Sequence, residues 1–175
     1  MASLLPLIQD ILPMIIPASI TVTKAADILP PVTEANGDGQ ERSKVQVISR
    51  NAVVDKTDKM CASVLIVKPK ASSSVRHYGE QGTLLSDASE AIIYAVLGKG
   101  AILSPPKDEG EEPGRHELEQ GDFAFIPAWT EHQAVNECEE GDFHLIVIRS
   151  GGHPVEVNLT DWGGAEVKVN NKQSQ

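Results

Sequence analysis

The clearest hydrophobic patterns in this chain are short. Val45–Ile48 and Ala62–Val67 are rich in Val and Ile. Ile92–Leu97 ends at Gly98-Lys99-Gly100, Phe123–Ile126 lies between Gly121-Asp122 and Pro127, and Phe143–Ile148 follows Gly141-Asp142 and stops before Ser150-Gly151-Gly152. Runs of this length with Gly, Asp and Pro punctuation predict β-strands. No longer helical pattern separates them, which argues against alternating βαβ units. The fold class expected is all-β, a sandwich or barrel.

The first 17 residues follow a different rule. Leu4, Leu5, Ile8, Ile11, Leu12, Ile15 and Ile16 recur at helical spacing, with Pro13 placed to kink the helix and Pro17 to end it. A secretory signal is the competing reading. Asp10 and the lack of any Lys or Arg before Lys24 weigh against it. The segment is expected to pack on its own domain or on a second subunit. Residues 34–44 read as a polar loop, residues 105–120 as an acidic loop and residues 168–175 as a frayed tail. The domain reading is an N-terminal arm and loop over 1–43, a barrel over 44–160 and a tail over 161–175.

Charge and cysteine content narrow the partners. The chain has 175 residues, with 15 Lys and Arg against 25 Asp and Glu, a net charge of −10. Phosphate surfaces demand clustered cations, so nucleic acid and anionic membrane are not expected partners. No run is long and apolar enough for a transmembrane helix. Cys61 and Cys138 are too few for a disulfide scaffold and lack zinc-ribbon spacing. The expected location is cytoplasmic. Asn158-Leu159-Thr160 fits a glycosylation acceptor, relevant only to a secreted chain.

One segment carries a specific motif. Gly121, Pro127, His132 and Asn136 stand at the spacings Gly, five residues, Pro, four residues, His, three residues, Asn. Here the chain resembles the cupin superfamily, whose second motif has this spacing with an inner Gly where this chain has Trp129. Gly121-Asp122 would turn into a strand that Pro127 ends. His132 would open the next strand, with Ala134 and Asn136 sharing its inward face. The resemblance implies a double-stranded β-helix (jelly-roll) barrel. Strings such as IIYAVLGKG and GDFAFIPAWTEHQAVN make the chain similar to small single-cupin proteins of fungal type.

The family's first motif, which supplies His-x-His and Glu metal ligands, is altered. With Lys70 in its Gly place, the two His places fall on Arg76 and Tyr78, and a one-residue shift brings in His77. The Glu place falls on Ala91, beside Glu90, and an insertion stands around Leu84–Ala91. A one-residue slip moves a strand side chain to the opposite face, so Arg76, His77 and Tyr78 cannot all point inward on a regular strand.

Two site readings follow. In the first, His77 and His132 hold a divalent metal, Fe, Mn, Ni or Zn, with Glu80, Gln81 or Glu90 as third ligand and His144 as a fourth. The resemblance then implies oxygenase, decarboxylase, isomerase or dehydratase chemistry on a small organic acid or phenolic compound. In the second, no metal is present. Arg76 holds a carboxylate or enolate, His132 is the general base and Tyr78 the acid, or the pocket simply binds a ligand. A structural dimer without a site is a third class, favoured by a barrel filled with large apolar side chains. His116 and His153 are expected on the surface. The apolar arm and the resemblance together imply a homodimer.

Overall fold

The computed structural model describes residues 19–28, 46–79, 89–108 and 110–167. The expected apolar helix, the loop at 34–44, residues 80–88 (which include the first part of the expected insertion) and the tail from 168 lie outside the described residues. After a single helical turn, α1 (Ala25–Ile28), the strands are β1 (Val47–Val53), β2 (Met60–Val67), β3 (Ala71–Ser72), β4 (Arg76–Tyr78) and β5 (Ala91–Leu97). They continue as β6 (Lys99–Ser104), β7 (Gly114–Glu119), β8 (Phe123–Ile126), β9 (Gln133–Asn136), β10 (Phe143–Ser150) and β11 (Glu156–Asn158).

A five-stranded sheet in the order β1-β2-β10-β5-β8 faces a four-stranded sheet in the order β3-β9-β6-β7, and β11 pairs with β4. The pairs are antiparallel. Strand alternation makes the core. Phe143, Leu145 and Val147 of β10 point inward with Leu65 and Val67 of β2 and Ile93 and Ala95 of β5. They meet Ile102, Leu118 and Ala134 from the opposite sheet. Full burial of each large aliphatic or aromatic side chain stabilises the fold by about 1.5–3 kcal/mol. Gly100 is required by this packing, since a Cβ there would lie 2.5 Å from both the Phe143 ring and the Val135 carbonyl oxygen.

Two expectations are corrected. Residues 105–120 are not all loop, because Gly114–Glu119 forms β7, paired from Ser104↔Gly114 to Lys99↔Glu119. Its charges face solvent on an edge strand while Leu118 enters the core. Charge is what an exposed edge tolerates and what hid the strand. The first strand runs Val47–Val53 rather than stopping at Ile48, because β2 supplies hydrogen-bonding partners for polar Ser49, Arg50 and Asn51. Before it, the Thr23 hydroxyl donates to the Ala52 carbonyl at 2.7 Å and ties the α1 segment to this edge.

Candidate functional site

The altered first motif forms β4, and its three side chains are all buried. β11 pairs with one side, Glu156 opposite Tyr78 and Asn158 opposite Arg76. On the other side Arg76 and His132 form a bridge, Arg76 N–H donating to the His132 carbonyl at 3.0 Å and His132 N–H to the Arg76 carbonyl at 2.8 Å. Directly opposed residues share a face, and residues two apart on a strand share a face. Arg76, Tyr78 and His132 are therefore on one side of this ribbon, and His77 is on the other. The Tyr78 and His132 rings stand 4.6 Å apart. His77 instead stacks at 5.6 Å from Trp129.

His132 is set up as a hydrogen-bond acceptor. Its Nδ1 lies 2.9 Å from the Thr130 carbonyl oxygen, which can only accept, so Nδ1 carries the proton. The neutral ring then presents a lone pair at Nε2, which is buried and has no partner among the described residues. Burial pushes the imidazole pKa down to about 4, with the nearby Arg76 charge acting the same way against the Thr130 hydrogen bond. The ring is neutral at pH 7.

Around it lies a cationic cluster. The Glu156 carboxylate bridges two guanidiniums, accepting from Arg76 Nη1 at 2.7 Å and from Arg149 Nη2 at 3.2 Å. Arg149 Nη1 also donates to the Ser63 hydroxyl at 2.7 Å, and its guanidinium carbon sits 4.5 Å from the Tyr78 ring centre. Arg149 Nε is buried without a partner among the described residues. Two cations against one anion leave an uncompensated positive charge. Burial pushes the Tyr78 phenol up, so it stays protonated. The middle of the barrel is filled by Phe143, Ile93, Leu145 and Val147. Space remains beside His132, in a cavity of about 380 Å³ whose walls include Ile102, Leu118, Ile126, Glu117 and Glu131, while Arg76, Tyr78 and Arg149 do not line it.

The remaining candidates are dispersed. Glu90 is exposed, and its N–H donates to the Ser150 hydroxyl while the neighbouring Ala91 takes the inward position. Glu80 and Gln81 lie outside the described residues. His144 is on the outer face of β10, with Nε2 3.7 Å from Asp142. His116 and His153 are exposed. Asn136 is a clamp, its Nδ2 donating to the Val67 and Gly141 carbonyls at 3.0 Å each and its Oδ1 accepting from Cys138 N–H at 3.1 Å. Trp129, in the place the motif gives to glycine, has φ of 61°. Arg149 and Glu156 were missed by sequence reasoning. Counting alternation from Phe143 would have placed Arg149 inward, whereas nothing local marked Glu156.

The described residues do not fit a divalent metal. His132 has the locked tautomer such a ligand needs. The other two motif places hold a guanidinium and a phenol, Ala91 stands where a carboxylate is needed, and Glu156 is committed to two arginines. Among the described residues no three His, Cys, Asp or Glu side chains converge.

No family model matches the sequence, and no curated protein matches it. Solved structures do resemble it. One is an uncharacterized conserved protein with a double-stranded β-helix domain from Klebsiella pneumoniae, TM-score 0.51 and 14% identity, covering 73% of this chain and 90% of that one. Another is peruvianin-I, a cysteine peptidase from Thevetia peruviana latex, TM-score 0.53 and 13% identity, covering 67% and 69%. A third is a mutant of the oxalate decarboxylase of Bacillus subtilis, TM-score 0.50 and 16% identity, covering 63% of this chain and 28% of that one. The oxalate decarboxylase has Mn(II) centres. Identities this low carry the fold and neither a fungal subtype nor an activity. The chain has the double-stranded β-helix fold of the cupins.

Proposed function

We propose that the barrel binds a small organic acid beside His132 and moves a proton on it without a metal. The observation that carries this is the buried, unpartnered Nε2 of a neutral His132 next to a cluster with one uncompensated positive charge among the described residues. An anion in the cavity beside His132 would be drawn by that charge from behind the imidazole, against the Glu117 and Glu131 carboxylates of the cavity wall, and would reach the uncommitted Arg149 Nε–H only if the packing around His132 opens. The ligand's own charge would raise the imidazole pKa toward the working range of a base. His132 Nε2 would take a proton from a carbon next to the carboxylate, the enolate would face the guanidiniums, and the protonated Tyr78 would act as donor. Isomerisation or dehydration is the matching reaction class. Arg76 is less suited to substrate than the sequence implied, because Glu156 already occupies it. The filled middle of the barrel favours a second reading, a scaffold without a site.

The test is a binding screen of small mono- and dicarboxylates by NMR, with elemental analysis of untagged protein. Ligand binding by wild type, lost in His132→Gln and weakened in Arg149→Met, supports the proposal. A barrel that takes no carboxylate supports the scaffold. Near-stoichiometric Fe, Mn, Ni or Zn, lost in His132→Gln, would overturn the metal-free reading.

We also propose that two copies pair through the outer face of the five-stranded sheet. Ile148, Ile92 and Phe125 form one cross-strand row, and Phe123 stacks on Tyr94 at 4.6 Å in the next. Phe123 and Phe125 are 67% and 58% exposed, and Ile20 and Val22 of the arm are also exposed among the described residues. Light scattering should show a dimer that Phe123→Ser/Phe125→Ser converts to monomer. An unchanged mass in that variant rules this face out.

A further inference from the structure

A second cavity, of about 400 Å³, lies on the opposite side of β4 from His132. Its walls include His77, Trp129, Leu159, Glu131 and Glu166. His77 is nine-tenths buried and its Nδ1 has no hydrogen-bond partner among the described residues. Trp129 holds a left-handed φ of 61°, a conformation unfavourable for a bulky side chain, and so presents its indole here, 5.6 Å from the His77 ring. The charged side chains lining this cavity are both carboxylates. Glu131 is fixed in place, accepting the Gly163 N–H at 2.8 Å.

We propose that this cavity is a binding site for a small organic ammonium ion. Each wall suits that chemistry. An indole face attracts a cation through its quadrupole and also packs the ligand's apolar part. Glu131 and Glu166 supply the counter-charge and accept N–H bonds. The His77 ring can accept a further N–H bond at its unpartnered Nδ1 in the tautomer that protonates Nε2. A carboxylate ligand would meet two like charges and no cation among the described lining residues. A bare divalent ion is not suited, because among the described residues no three His, Cys, Asp or Glu side chains converge closely enough to hold one. The strain at Trp129 places an indole where glycine would close the turn at lower energy, and forming this wall is a use for it. Glu131 lines both this cavity and the one beside His132, but the proposal does not rest on the barrel function.

The probe is benzylammonium, with phenylacetate as the charge-reversed control, both titrated by NMR against the full chain. Benzylammonium is expected to shift the Trp129 indole N–H resonance, and phenylacetate is not. Glu131→Gln/Glu166→Gln keeps the Gly163 hydrogen bond and the shape, and should weaken binding roughly tenfold by removing charge. Trp129→Gly relieves the backbone and should bind at least fivefold more weakly while remaining folded by circular dichroism. The proposal is overturned if benzylammonium does not bind, if phenylacetate binds equally well, or if the double Gln variant binds as wild type does. Displacement of benzylammonium by Mn²⁺ at equimolar concentration would likewise overturn it in favour of a metal site.

Discussion

Glu156→Gln isolates the buried charge cluster. The carboxylate accepts from Arg76 at 2.7 Å and Arg149 at 3.2 Å, and the two arginine side chains are only 7% and 3% exposed. Glutamine keeps the shape but leaves two guanidiniums facing each other without a counter-charge. Breaking a buried pair in this way costs about 3–5 kcal/mol. Glu156 is itself 22% exposed, so water relieves part of the loss and the low end, about 3 kcal/mol, is expected. In a domain of this size that is a fall in Tm of roughly 6–12 °C. Urea unfolding at pH 7 measures it as a drop in midpoint at unchanged slope. The triple variant Arg76→Met/Glu156→Leu/Arg149→Met removes all three charges together and is expected within about 2 kcal/mol of wild type. A single-variant loss below about 1 kcal/mol would refute the cluster as a structural element. So would a triple variant less stable than the single one.

His132 makes stability depend on pH. Its pKa falls from 6.5 in the unfolded chain to about 4 in the fold, so between these values the unfolded state binds the extra proton. Stability is therefore lost as pH falls from 6.5 toward 4, by about 3 kcal/mol in total. Urea midpoints across this range should fall more steeply for wild type than for His132→Gln, and equal slopes would show that the ring is solvated. Asn136→Ala should lose about 2–4 kcal/mol in the same assay, because two carbonyls and an N–H lose their partner. Asn136→Asp should lose more, since a carboxylate would face those carbonyls, and a milder effect than Ala would refute the assignment of Nδ2. At φ of 61°, Trp129→Gly should be more stable than Trp129→Ala by about 1 kcal/mol, and equality would deny the strain.

The sequence by itself determined the barrel fold and marked one residue of the candidate site. Strands such as Phe123–Ile126 and the Phe143–Ile148 stretch of β10 were legible because alternation and Gly-Asp turns are local signals. His132 was legible because its motif spacing is local too. β7 was hidden, because an exposed edge strand needs only Leu118 inward and reads otherwise as acidic loop. Only the tertiary structure decided the face of His77. That choice depends on the register of three residues between β11 and His132, and period-two alternation turns one residue of slip into the opposite face. The charge cluster was equally out of reach. Glu156 lies 80 residues from Arg76, and no pattern along the chain encodes that pairing. The barrel brings them together by placing β11 beside β4, and the low dielectric there gives the pairing its energy.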